Sequence, residues 1–515
     1  GLALVILASC GAHYDPDASI KPLQNPTQAK ETRMVFVQLF EWKWTDIALE
    51  CERFLAPNGY AAVQISPPNE HIDHRSDKLS HPFSWWSRYQ PVSFKLQSRS
   101  GTQDELLDMI QRCRSVGVDI YADSVINHMA HQVESGVAGT TFNRPEKTYA
   151  EYAAADFHTD CTIQQQDYAW SDDAQIRIQR AQTTRRCQLS GVLPDLDTGR
   201  DNVRSKISGY LQSLIDLGVA GFRIDAAKHM HPKDIEAILS QLTGDVYVFQ
   251  EVIDDGRQPV NVSEYSAIAD VTEFRYSHDI GHIFDQQPLT QLSRLSEAGG
   301  FLPSHKAVVF IDNHDNQRGH GMSALISHRS GPAYELANTF MLAWPYGYPK
   351  VMSSYEWGGI DDSKGPPHDG KGNTLSVHNP DGTVNCFEEA WKCEHRWPVI
   401  VNMVGFRNRM QSLDADQVAH WWSGNADQLA FARTDRTGQA AGFVIINRGN
   451  TALSRIFETG LPEGQYCNIL SPEASSDGVQ CSEKPIEVDA QGQAQITVSG
   501  ISSAAFLIPA LGSDL

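Results

Sequence analysis

Eight short apolar, β-rich runs recur along the chain, each followed by polar residues. They are MVFVQLFEW (34–42), YAAVQIS (60–66), GVDIYADSVINH (117–128), GVAGFRIDAAKH (218–229), VYVFQEV (246–252), ADVTEF (269–274), KAVVFIDNHD (306–315) and YPKVMSSYEW (348–357). Continuous apolar approaches such as DLGVAGF suit parallel strands covered on both faces. Helical patterns such as DELLDMIQRCRSVG and VRSKISGYLQSLIDLG lie between several of them. Eight strand–helix alternations predict an α/β fold, a closed (β/α)8 TIM barrel whose functional residues gather at the carboxyl ends of the strands. An open doubly wound sheet is the alternative topology.

The spacing is uneven. Asp225 and Glu251 stand 26 positions apart, about one strand–helix unit, whereas Asp123 and Asp225 stand 102 apart. The polar stretch 129–200 is therefore expected to form a small inserted domain after the third strand, leaving 31–128 and 201–420 for the barrel. From 421 to 515, runs such as QLAFART and AAGFVIINRG lose helical periodicity and predict a C-terminal antiparallel β-sandwich. The opening GLALVILASCGAHYDPD carries an apolar run too short to span a bilayer. It resembles the tail of an export signal, followed by a polar tether to about residue 30. Leu7-Ala8-Ser9-Cys10 also resembles a bacterial lipoprotein signal, with Cys10 as a lipid anchor; an ordinary signal peptide cut nearby is the other reading.

Setting Cys10 aside leaves eight cysteines, an even number consistent with an oxidised, exported chain. The expected pairs are Cys51–Cys113, Cys161–Cys187, Cys386–Cys393 and Cys467–Cys481, the last three chosen for proximity; sequence does not fix the connectivity. The formal net charge of −21 without a long acidic run argues against nucleic acid and anionic membranes as partners.

In GFRIDAAKH (221–229), Arg223 and Asp225 point to the same side of an extended strand. With Glu251 and Asp315 at other strand ends, three acids are expected at one barrel rim. Retaining hydrolysis of a glycosidic bond needs a carboxylate nucleophile and a carboxylic acid donor. Arg223 is expected to keep Asp225 ionised, and the apolar approach VYVFQE to keep Glu251 protonated. Adjacent Trp85 and Trp86 with Tyr89, in HPFSWWSRYQ, are not patterned like a core strand or helix, which leaves open either an aromatic platform for sugar faces or a core tryptophan with one neighbour at the surface.

DSVINH (123–128), GFRIDAAKH (221–229), FQEV (249–252) and FIDNHD (310–315) match, in order, the four signature regions of the α-amylase family, glycoside hydrolase family 13. SPPNE (66–70), WWSRYQPVSFKL (85–96) and NQRGHG (316–321) make the chain resemble the animal-type, chloride-dependent group, including its bacterial members. The resemblance implies Asp225 as nucleophile, Glu251 as general acid and then base, and Asp315 as a third carboxylate holding sugar hydroxyls. It implies substrate contacts from Trp85, Trp86, Tyr89, Gln90, Asp123, His128, Lys228, His229 and His314, and from Tyr168 in QDYAW. It implies Ca²⁺ held by Asn127, Asp195 and backbone oxygens of Arg185 and His229, a donor set of the type calcium prefers. The segment DYAWSDDAQIRIQRAQTTRRC around Arg185 is longer than the family's usual one. It also implies chloride at Arg223, Asn313 and Lys350, where most animal-type members have Arg at the third position and some bacterial members have Lys. Without chloride, the nearby cations would strip Glu251 of its proton at neutral pH, so chloride activation is expected.

The expected activity is endo-acting, retaining hydrolysis of α-1,4-glucosidic bonds in starch or glycogen by a monomer, secreted or anchored at a bacterial cell surface. A transglycosylating or maltooligosaccharide-forming relative is the rival enzyme, and a silent carbohydrate-binding or scaffold barrel the rival from another class.

Overall fold

A computed structural model describes residues 33–358, 362–387 and 390–510. The expectations for Cys10 and the tether lie outside these residues. Strands β1 (Phe36–Leu39), β2 (Ala62–Ile65), β3 (Asp119–Ser124) and β4 (Gly221–Ile224) are followed by β5 (Tyr247–Gln250), β6 (Asp270–Thr272), β7 (Ala307–Val309) and β8 (Tyr348–Ser353). Each pairs in parallel with the next, and β8 pairs with β1, closing the barrel. The strands are shorter than the apolar runs that announce them, because each run continues into a strand-end loop.

Helices α1 (Trp44–Glu50), α2 (Gln103–Ser115), α3 (Ala174–Arg186) and α4 (Asp201–Leu217) are joined by α5 (Pro232–Leu239), α6 (Phe274–Gln286), α7 (Pro332–Ala343) and α8 (Pro398–Ser412). Local chemistry sets their ends. Thr102 and Glu105 form a reciprocal capping box on α2, and Gly218 ends α4 at a left-handed φ of 106°. The alternation is imperfect. Between β5 and β6 the chain makes only a four-residue helix, Ser263–Ser266, and residues 354–397 separate β8 from α8.

The barrel interior is layered by strand period. Phe36, Tyr121, Tyr247, Phe249 and Tyr348 form an aromatic plug, with Phe36 and Tyr348 ring centroids 4.7 Å apart. Gly221 faces that plug: a Cβ there would come within 2.7 Å of the Tyr121 ring and of the Tyr247 carbonyl. Two residues further along each strand, the inward positions turn polar: Gln38, Asp123, Arg223, Glu251 and Lys350. One more step on β4 reaches Asp225. The period of two thus converts a sealed floor into a reactive rim within one sequence motif.

Near the C-terminus, β9 (Gln417–Ser423), β10 (Gln428–Thr434), β11 (Ala440–Asn447) and β16 (Ser502–Leu507) form an antiparallel sheet. The pairs β12 (Leu453–Glu458) with β15 (Gln493–Val498), and β13 (Gly464–Tyr466) with β14 (Ile486–Val488), face it. Phe443 and Ile445 bury against Phe457, Ile496 and Val498 between the layers. On its other side the sheet docks on the barrel, where Phe431 packs against Phe340 of α7 at 5.9 Å. All four expected disulfides form: Cys51–Cys113, Cys161–Cys187, Cys386–Cys393 and Cys467–Cys481. Among the described residues, no helix is long and apolar enough to cross a membrane.

Candidate active site

A cavity of about 840 Å³ opens at the carboxyl ends of the barrel strands. Asp225, Glu251 and Asp315 all line it, although they come from the ends of β4, β5 and β7. Backbone bonds fix the first two, since Asp225 N donates to Ser124 O and Glu251 N to Ile224 O. Between them Ala226 takes a left-handed φ of 48° and donates its N–H to Glu251 Oε2 at 2.8 Å. A non-glycine residue in this conformation is strained; here it lies between the two acids and holds one of them.

Arg223 is the buried hub beneath the rim. Its Nη1 donates to Asp123 Oδ1 at 2.7 Å and to Asp225 Oδ1 at 2.9 Å. Its Nη2 stands 2.7 Å from Glu251 Oε1, a charge contact without hydrogen-bond alignment. Arg223 pulls on Asp225 as expected, but not on Asp225 alone. One guanidinium is shared by three carboxylates. Burial pushes the Asp225 carboxyl well above its ordinary range, against the pull of Arg223, and Glu251 and Asp123 add to the rise. Asp315 is raised to about 7, by burial first and then by Glu251. One guanidinium faces Asp123, Asp225 and Glu251, so the rise of Asp225 reflects burial among like charges.

Asp123, expected against substrate, does not line the cavity. It is fully buried, with Oδ1 on Arg223 and Oδ2 accepting from Tyr89 Oη at 2.8 Å. Its place is underneath, where it holds both. His128 lines the cavity, but both ring nitrogens are taken by protein: Nε2 donates to Tyr89 O at 2.9 Å and Nδ1 accepts from Asn127 at 3.3 Å. His314 stacks on Tyr89 with centroids 5.2 Å apart and accepts from Gln38 Nε2 at Nδ1. Burial holds this imidazole well below its ordinary pKa. The neutral ring therefore carries its proton on Nε2, which faces Asp315 Oδ2 at 3.4 Å. His229 donates from Nδ1 to Thr184 O at 2.9 Å, which leaves Nε2 as the acceptor of the neutral ring.

Trp85 and Trp86 both line the cavity, but Trp85 is no open platform. It is only 5% exposed, its Nε1 donates to Asp362 O at 2.6 Å, and its ring meets Tyr89 and His314 edge-on. Trp86 is the more open of the two. Gln90 is spent on His131, whose N–H it accepts, and on Gln132. Lys228 donates to Ile253 O at 2.6 Å and to Gln258, and it sits 4.8 Å above the Tyr168 ring. Burial lowers its amine to about 8. The cavity also takes in His320, Ile253, Gln165 and Leu193, which sequence reasoning did not single out. His320 stands within NQRGHG and pairs with Asp362 at 2.8 Å, so a signal existed for it; the others sit in loops without a motif.

Arg223, Asn313 and Lys350 lie below the cavity rather than on its wall. Lys350 Nζ donates to Gln38 and Gln64 at 3.2 and 3.4 Å. Burial, and then Arg223, press its amine down to about 7. Two buried cations that repel one another are a fitting place for a small anion.

For the expected calcium, Asp195 accepts from His158 at Oδ2 at 2.7 Å, while its Oδ1 is buried without a partner. Burial raises this carboxyl to about 6. An orphaned carboxylate oxygen beside Asn127, which Asp195 also contacts, fits an oxygen-seeking cation. Arg185 directs its side chain away, to Glu264 and Tyr265, so only its backbone could serve; the neighbouring Thr184 carbonyl already meets His229. No cluster of three His, Cys, Asp or Glu suited to a metal occurs among the described residues.

The family profile described as "Alpha amylase, catalytic domain" matches residues 88–276, and "Alpha amylase, C-terminal all-beta domain" matches 421–509. The chain is 43% identical to an α-amylase of Pecten maximus over 97% of this chain and 96% of that one. It is 40% identical to α-amylase 1B of Homo sapiens, over 94% and 96%. The crystal structure of wild-type α-amylase I from Eisenia fetida superposes with a TM-score of 0.82 at 36% identity, covering 93% of this chain and 98% of that one. These relatives are animal proteins and give no support to a bacterial origin.

Proposed function

The chain belongs to the α-amylase family of glycoside hydrolases, and from that premise we propose how its residues divide the hydrolysis of internal α-1,4-glucosidic bonds in starch-type glucans. Asp225 attacks the anomeric carbon while Glu251 gives its proton to the departing glycosidic oxygen. Glu251 then takes a proton from the incoming water, which displaces Asp225 and restores the original configuration. Asp315 and the Nε2–H of His314 hold hydroxyls of the sugar at the point of cleavage. Asp123 positions Arg223 from beneath the cavity, while Tyr89 and the strained Ala226 line it, Tyr89 holding Asp123 and facing the sugar and Ala226 holding Glu251. The observation that carries this reading is the convergence of Asp225, Glu251 and Asp315 on one cavity with Arg223 shared beneath.

Arg223, Asn313 and Lys350 would hold chloride. Its negative charge would offset the field of the two cations that act on the general acid Glu251. Lys350 offers a point charge where an arginine fork would offer two aligned donors, which points to weak binding. Asn127, Asp195 and the carbonyls of Arg185 and His229 would hold calcium, whose charge would satisfy Asp195 and fasten 129–200 to the barrel. The four disulfides favour an oxidising compartment, and we assign the enzyme to secretion as a monomer.

The test is soluble-starch hydrolysis with and without chloride, by the parent and by Asp225→Asn. Activity that rises with chloride, shifts to lower pH without it and vanishes in the variant supports the assignment. Identical pH–rate curves with and without chloride contradict the anion site, and starch turnover by Asp225→Asn contradicts the nucleophile. Chelation that leaves the melting temperature unchanged contradicts the calcium site.

A further inference from the structure

Trp170 is the one tryptophan of eleven that is exposed, at 50%. It belongs to the extended segment between Tyr168, which lines the catalytic cavity, and α3. Ala169 between them is extended, which places the Trp170 backbone roughly 7 Å beyond that of Tyr168, outside the cavity's lining. An exposed indole gains nothing from burial in the core, yet this one is held with care. The Arg177 guanidinium lies 4.5 Å from its ring centroid, and Arg177 Nη1 also donates to the carbonyls of Ser171 and Asp172 at 2.6 and 3.0 Å. Arg180 donates to the carbonyls of Ala169 and Trp170 at 2.8 and 3.2 Å, and the indole N–H donates to Asp172 at 3.3 Å. Asp173 then caps α3. Helix α3 itself buries only Thr184. It contributes little to the core, and two of its arginines are committed to the Trp170 loop.

A cation stacked on the ring fixes its orientation and leaves half of the residue open to solvent. Such a preorganised aromatic surface suits a neutral ligand with C–H faces, because little side-chain entropy remains to be lost on binding. We infer that Trp170, fixed by Arg177, is an outer sugar-binding platform that extends the glucan path beyond Tyr168 and favours long substrates. This rests on the α-glucan reading above.

The experiment compares steady-state kinetics on maltotriose, maltoheptaose and soluble starch for the parent, Trp170→Ala, Trp170→Tyr and Arg177→Met. For Trp170→Ala, KM for maltoheptaose and starch rises about 3- to 10-fold, the size of one aromatic stacking contact, while maltotriose, too short to reach the platform, serves as the control for folding. Trp170→Tyr keeps most of the affinity, and Arg177→Met falls between the two. An equal loss on maltotriose, or unchanged KM on every substrate, overturns the inference while leaving the hydrolase reading intact. A folded parent that cleaves none of the three brings down the hydrolase reading and the platform with it.

Discussion

Removing Arg223 isolates the electrostatic argument. In Arg223→Met the side chain keeps an unbranched apolar body and loses the charge that Asp123, Asp225 and Glu251 share at 2.7, 2.9 and 2.7 Å. Breaking a buried ion pair by deleting one partner costs roughly 3–5 kcal/mol, because the remaining charge is stranded. Here the acids have an escape, since they can hold protons. Without Arg223 the folded-state pKa values of Asp123 and Asp225 climb further above the unfolded value of about 3.9. A raised carboxyl keeps a proton that the unfolded chain releases, so stability is lost as pH climbs from about 4 through the folded value. The penalty relative to the parent is therefore small near pH 4 and approaches roughly 3–5 kcal/mol near pH 8. Lys350 gives back part of this, because Arg223 no longer presses its amine down. Urea unfolding at several pH values, followed by tryptophan fluorescence, reads the difference. An equal penalty at both ends of that range would mean that Arg223 serves packing, and the shared-hub argument would fail.

Two further outcomes follow from the same structure. Asp270 sits at the barrel floor, accepting from Tyr247 Oη at 3.1 Å, and burial raises its carboxyl to about 7. The parent thus loses stability between about pH 4 and 7 that Asp270→Asn does not, and the gap between them should swing toward the variant by up to about 4 kcal/mol; a pH-independent gap in chemical unfolding refutes this. The Cys161–Cys187 bridge closes a loop with a sequence separation of 26, which corresponds to about 3.5 kcal/mol of chain entropy. The double Cys161→Ser, Cys187→Ser variant should show faster hydrogen exchange across 161–187 and weaker calcium binding, with barrel strands unaffected. Uniform acceleration through the barrel would contradict that local role.

The barrel was legible because its strands are apolar on both faces and end in charge. GFRID carries that transition in five residues, with Gly221, Arg223 and Asp225 at floor, hub and rim. Helix α3 was not legible, since AQIRIQRAQTTRR has no apolar stripe and buries one residue; what holds it is a disulfide, a cap and contacts to loops. The sharing of Arg223 also escaped, because period-two reasoning paired it with its strand neighbour Asp225 and could not see Asp123, 100 positions away, or Glu251 on the next strand. The same limit hid Glu50, whose buried carboxylate gathers His378, His395 and Arg396 from more than 300 positions downstream and ties the loop after β8 to α1. Long-range polar networks leave no periodic trace in either partner's sequence.

The division of roles between Asp225 and Glu251 is tested most directly by covalent labelling. The protein would be reacted with a fluorinated maltosyl fluoride, which forms the glycosyl-enzyme faster than water removes it, and then digested and mapped by mass spectrometry. A single glycosyl group on Asp225, absent from Asp225→Asn, is the predicted result. Labelling of Glu251 or Asp315 in the parent would contradict the assignment of the nucleophile.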